Sequence, residues 1–216
     1  MTLPLASTAA RSSDPAAPSP FIQDTVRWLE RAVIGLNLCP FAKGVHVKGQ
    51  IHYAVALTPH VDEVLELLRE ELAALVATPA QERDTSLLIL AHCLQDFLDF
   101  NDFLGQADAL LEQMELAGTV QIASFHPQFQ FAGTDVDDVT NCTNRSPYPT
   151  LHLLREESID RAVEVFPEAE SIFERNMEVL EALGTKGWEE LGVGPGDGGS
   201  DEGSDVVATA TRAVAP

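Results

Sequence analysis

Residues 86–92 read SLLILAH. Such a run is too short for a buried helix. Its nearly unbroken apolar character suits a strand covered on both faces. Helical periodicity lies on either side. Upstream, Thr58-Pro59 opens a helix whose inward face is Val61, Leu65, Leu68, Leu72 and Leu75. Downstream, a helix from about Gln95 to Leu116 turns Phe97, Phe100, Leu104, Ala107, Leu111 and Met114 inward, and Gly118 stops it. Further out lie two more strands, Gln50–Leu57 and Thr119–Phe125, rich in β-branched and aromatic residues. A first helix opens at Ser19-Pro20 and carries Ile22, Val26, Leu29, Val33 and Leu36 at helical spacing; it ends near Asn37, since Pro40 follows.

This alternation predicts an α/β fold: a small, mostly parallel sheet of three or four strands with a β-α-β-α-β core packed by helices. After the third strand the pattern breaks. His126–Leu154 reads as one long loop with little periodicity, yet Phe129, Phe131, Tyr148, Leu151 and Leu153 make it apolar enough to be ordered. Two helices close the chain, Ser158 to about Val165 and Pro167 to about Leu183, and Trp188 sits on a last turn. The expected organisation is one domain over residues 20–192, with an N-terminal tail at 1–19 and an acidic, glycine-rich tail at 193–216.

The formal charge is −21 at pH 7. That argues against nucleic acid and anionic membrane surfaces as partners. No apolar run is long enough to span a bilayer, and the first residues lack the pattern of a secretory signal. Three cysteines, Cys39, Cys93 and Cys142, fit free thiols in a reducing compartment, so the cytoplasm is the expected location. Neither GxGxxG, a Walker pattern, GxSxG nor HExxH occurs, and the six histidines stand singly. No cofactor and no metal is expected. The sequence fixes neither an oligomeric state nor a substrate.

Acids are unevenly placed. Residues 20–192 hold 29 Asp and Glu against 11 Lys and Arg, yet Arg31–Val61 and Val139–Arg155 contain no acid, and Leu116–Thr134 contains no formal charge. In open α/β sheets ligands bind beyond the carboxyl ends of the strands. If the three windows meet there, they form a positive hollow on a negative body, suited to a small anion.

Four segments carry a resemblance: WLERAVIGLNLCPFAKGVHVKGQI, LQDFLDFNDFL, ASFHPQFQFAG and TNRSPYPTLHLLREESIDRAV. Together they resemble the bacterial family catalogued as domain of unknown function 1415, over nearly all of residues 21–191. The resemblance implies a compact bacterial cytoplasmic domain. It implies no reaction, so the chemistry has to come from the residues.

Arg145 lies between Asn144 and Ser146 on a loop stiffened by Pro147 and Pro149, with Tyr148 between them. A guanidinium so held suits bidentate capture of a carboxylate or phosphate, or else staples the loop to one of Asp135, Asp137 or Asp138. His126, at the end of a strand, is placed for proton transfer. Gln128 and Gln130 alternate with Phe129 and Phe131, so both amides can orient a substrate or satisfy buried backbone. His152 follows Leu151 and is either an assisting base or a core histidine. Cys39 is a poor nucleophile at the end of one helix, or an activated one at the start of the next with Lys43 beside it. Arg155, next to Glu156 and Glu157, reads equally as a structural ion pair. Two functions stay open. One is an enzyme on a small anionic metabolite, with Arg145 and Lys43 holding the anion, His126 moving a proton, and Cys39 or His152 assisting. The other is a non-catalytic anion sensor or protein-binding module that docks its partner on an exposed aromatic loop.

Overall fold

The computed structural model describes residues 19–165 and 171–196. Both expected tails lie largely outside these residues, as does the Pro167 start expected for the last helix. In chain order the elements are α1 (Pro20–Trp28), continued by a π-helical stretch (Leu29–Ile34), α2 (Ala42–Val47), β1 (Ile51–Ala56), α3 (Val61–Ala77), β2 (Thr85–Leu90), α4 (Phe97–Gln113) and β3 (Val120–Phe125). A short 3₁₀ helix (Val139–Asn144), β4 (Thr150–Arg155), α5 (Glu156–Val165) and α6 (Ile172–Glu190) complete them.

The sheet order is β1-β2-β4-β3. β1 pairs with β2 in parallel, while β4 runs antiparallel to both β2 and β3. The three expected strands therefore do point the same way. The sheet is nonetheless mixed and mostly antiparallel, which corrects the expected mostly parallel sheet. The reason is β4, which inserts between β2 and β3 instead of leaving them adjacent. The expected loop His126–Leu154 is corrected with it, because its last residues are this central strand.

Two faces of the sheet bury different sequences. Leu88, Leu90, Leu151, Leu153, Val120 and Ala56 face α3 and α4, where they meet Leu68, Leu72, Leu75, Phe100, Phe103 and Ala107. All six β2 residues are buried, as a doubly covered strand requires. On the other face Ile51, Tyr53 and Phe125 pack against Trp28, Leu29, Ala32 and Val33. The first helix was expected to bury Ile22, Val26, Leu29, Val33 and Leu36; only Leu29 and Val33 of these are fully buried. In the π stretch Gly35 donates to the carbonyl of Glu30 at 3.0 Å, five residues back. That extra residue per turn shifts the register of the face relative to a regular 3.6-residue spacing.

Residues 191–196 lie along α1. Arg27 Nε and Nη2 donate to the carbonyls of Gly192 (3.0 Å) and Gly194 (2.9 Å), and Arg31 Nη1 donates to Leu191 (2.9 Å). Val193 is buried in the Trp28 cluster. The Gly196 amide donates to Asp24 Oδ2 at 2.8 Å, so close that a Cβ on Gly196 would sit 3.0 Å from Asp24 Oδ1.

Candidate functional site

The carboxyl ends of β2 and β3 and the amino end of antiparallel β4 meet at one rim. There the chain builds an irregular loop, 126–149, almost entirely from its own polar groups. Its first anchor is His126, which is 0% exposed. The ring accepts the Gln128 amide at Nδ1 (3.0 Å), which fixes the proton on Nε2, and Nε2 donates to the Leu94 carbonyl at 3.2 Å. Leu94 holds φ at +56°, a strained position for a branched residue, and this turns its carbonyl toward the ring. Phe97 and Phe100 enclose the imidazole at 5.4 and 5.1 Å. Burial pushes its pKa down, against the opposing pull of the Leu94 carbonyl and the Asp96 carboxylate. His126 is therefore a neutral ring with both nitrogens occupied by main chain.

The second anchor is Asn144-Arg145. The Asn144 carbonyl accepts the His126 amide at 3.1 Å, and its side-chain amide donates to the Ser124 carbonyl at 3.2 Å. Arg145 Nε donates to the Phe129 carbonyl (3.2 Å), and Nη2 to the Val136 carbonyl (2.6 Å). The Cys142 thiol lies against the same guanidinium, yet burial still pushes the thiol pKa up. Arg145 thus staples the loop through carbonyls rather than through Asp135, Asp137 or Asp138. Asn141, fully buried, completes the network: Oδ1 accepts from the Phe131 amide and the Thr134 hydroxyl, both at 2.9 Å, and Nδ2 donates to the Asp135 carbonyl at 2.9 Å. The Gln130 amide donates to the Thr134 carbonyl at 2.6 Å, whereas the Gln128 side chain is exposed. Ser146 Oγ donates to the Tyr148 carbonyl at 2.6 Å.

Tyr148 is buried, and its hydroxyl donates to Asp24 Oδ2 at 2.7 Å; the desolvated hydroxyl and the adjacent carboxylate both hold its pKa above the ordinary value. Asp24 also takes Arg27 at 2.7 Å. Sequence reasoning passed over this acid and Asn141. The available signal was Asp24 itself, an acid between the apolar positions Phe21 and Trp28 of an amphipathic helix.

The structure brings His126, Gln128, Gln130, Asn144, Arg145, Ser146 and Tyr148 into one region. Two of the acid-free windows meet there through β3 and β4, and Leu38 of the first window packs against Cys142. The other three expected residues stand apart. Lys43 is exposed on α2. Cys39 packs against the Trp28 cluster; burial raises its pKa and outweighs the amides of Phe41 and Ala42 that favour the thiolate. His152 sits mid-strand on β4, opposite Leu87 on one side and Ala123 on the other, with Phe125 at 6.1 Å, and burial pushes it down to about 4. Among the described residues no hydrogen bond or ring contact links Cys39, Lys43 or His152 to His126 or Arg145, and no group of three His, Cys, Asp or Glu is arranged to hold a metal ion. Arg155 donates to the carbonyls of Leu75, Thr78 (2.5 Å) and Arg83 (3.1 Å), closing the carboxyl end of α3 rather than pairing with Glu156 or Glu157.

From His126 a line of rings leads outward. Phe97 meets Phe129 at 5.4 Å, Phe129 meets Phe131 at 4.9 Å, and Phe131 meets Phe173 of α6 at 5.6 Å. The line ends in solvent: Phe173 is 49% exposed, and Val136, on the stapled loop, 68%. No helix is long and apolar enough to cross a membrane among the described residues. No curated protein and no solved structure matches the chain. A family model does match, over residues 20–190, described as Protein of unknown function (DUF1415), and the chain belongs to that family.

Proposed function

We propose that this chain is a non-catalytic protein-binding module that presents Phe131, Phe173 and Val136 to a partner. One observation carries the reading. The polar groups expected to do chemistry are spent on shaping the loop, while its aromatic line runs out to an exposed phenylalanine. A neutral imidazole with no free lone pair and no exposed area is poorly placed to move a substrate proton. A guanidinium whose Nε and Nη2 already donate to two carbonyls, and which lies against the Cys142 thiol, has one edge taken and is held by the loop rather than free to turn toward an anion. The same contacts serve binding well. They hold an irregular loop in one shape before a partner arrives, so little ordering entropy opposes docking. Aromatic side chains on such a loop are favoured anchors of interfaces.

The test is selection of peptides from a displayed random library on the full chain, followed by rebinding to Phe173→Ser. The expected result is that enriched peptides bind the native chain and lose the variant, whose circular dichroism is unchanged. Enriched peptides that bind both equally, or no enrichment, would overturn the reading. Arg145→Lys is the second variant. It keeps the charge but spans only one carbonyl, and it weakens the same peptides if the staple shapes the surface.

A further inference from the structure

The charges beside this surface point to the chemistry of what docks on it. We infer, resting on the docking reading above, that the partner offers a cationic amphipathic segment, apolar on one side and rich in Lys or Arg around it. Val136 lies between Asp135 and Asp137, with Asp138 next, and Phe173 is followed by Glu174. Asp135, Asp137 and Glu174 are exposed, and among the described residues none has a cation within ion-pair distance. Asp138 spends one carboxylate oxygen on the Thr140 amide and hydroxyl, at 2.8 and 2.7 Å. Of the two cations closest along the chain, Arg145 donates into the loop and acts on Asp138, and Arg175 is half-buried on α6, so among the described residues Asp135, Asp137 and Glu174 keep no ion pair. The surface is thus an apolar centre flanked by unanswered carboxylates. A partner with acids at its rim would be repelled, and a neutral one would leave the carboxylates unused. A segment with cations around an apolar stripe matches both features and gains in association rate from the charge.

The probes are three synthetic amphipathic peptides that share one leucine face and carry lysine, glutamine or glutamate elsewhere. Each is titrated onto the full chain by fluorescence anisotropy. The lysine peptide is expected to bind about tenfold more tightly than the glutamine peptide, with the advantage shrinking as salt rises, and the glutamate peptide not measurably. Phe173→Ser should abolish lysine-peptide binding. Asp135→Asn with Asp137→Asn should weaken it several-fold, while neutralising two distant acids, Asp108→Asn with Glu112→Gln, should leave it unchanged. If lysine and glutamine peptides bind equally and both lose Phe173→Ser, the cationic preference is wrong and the docking surface stands. If the distant pair matters as much as the near pair while Phe173→Ser still abolishes binding, the attraction is that of an acidic chain as a whole and only the docking surface stands; if the lysine peptide binds Phe173→Ser as it binds the native chain, both readings fall.

Discussion

Replacing His152 by Leu should make the fold more resistant to acid. His152 lies on β4 among Leu87, Ala123 and Phe125 and has its pKa pushed down to about 4, from 6.5 for an unburied ring. The unfolded chain therefore takes up the proton first as pH falls. The stability tied to the neutral ring is fully present above about pH 6.5, drains away between 6.5 and 4, and is gone below. At about 1.4 kcal/mol per unit, the full shift corresponds to roughly 3 kcal/mol, and to roughly 2 kcal/mol by pH 5. His152 as a residue is half-buried, so solvent screening makes these figures upper values. His126 and His52 are also held below their ordinary pKa, chiefly by burial, and the stability tied to each is likewise lost as the pH falls below about 6.5. The quantity to measure is thus a difference: urea unfolding of the native chain and of His152→Leu at about pH 7 and about pH 5. The native chain should lose roughly 1–2 kcal/mol more than the variant between the two. Parallel losses would mean that the ring is already charged or solvated in the fold, and that burial on this strand is not what sets its state.

Other expectations follow from single contacts. Arg145→Ala removes both bonds to the Phe129 and Val136 carbonyls, which should cost about 1–3 kcal/mol and speed amide exchange across residues 129–136. A thermal-shift panel of small anions should raise the melting temperature of native chain and Arg145→Lys alike or not at all; a shift confined to the native chain would restore the anion site. Tyr148→Phe should cost about 1 kcal/mol and leave the fold intact, whereas Asp24→Ala, which strands the Tyr148 hydroxyl and the Gly196 amide and removes the Arg27 ion pair, should cost about 2–3 kcal/mol by urea unfolding. Gly196→Ala sets a methyl against the Asp24 carboxylate and should release residues 191–196 from α1, read as increased proteolysis after residue 190. Phe100→Ala, in the core between α4 and His126, should cost about 3–5 kcal/mol.

What the sequence made legible was whatever carries the apolar pattern of its element. SLLILAH is a nearly unbroken apolar run and the Leu68, Leu72, Leu75 face repeats at helical spacing, and each lies where its pattern requires. β4 escaped because Thr150–Arg155 follows two prolines and carries a histidine and an arginine, so it resembles a loop; the buried Leu151 and Leu153 with His152 between them were the alternation that marks it. That one strand converts the sheet from parallel to mixed. It also explains why Arg145 and His126 lie in one region with their polar atoms turned to main chain. β4 pairs antiparallel with β3, Phe125 opposite Thr150, so residues 126–149 leave and re-enter the sheet at one rim, and every amide and carbonyl of that excursion needs a partner. With no sheet neighbour to supply them, the side chains of His126, Gln130, Asn141, Asn144 and Arg145 do. Polar residues concentrated in a stiff loop are what an active site and a self-satisfied loop have in common. Only the direction in which each donor points separates the two, and direction is not carried by residue type or spacing. The rings of Phe129 and Phe131 obey the same logic: half-buried beside that network, they carry the aromatic line on to the exposed Phe173 of α6.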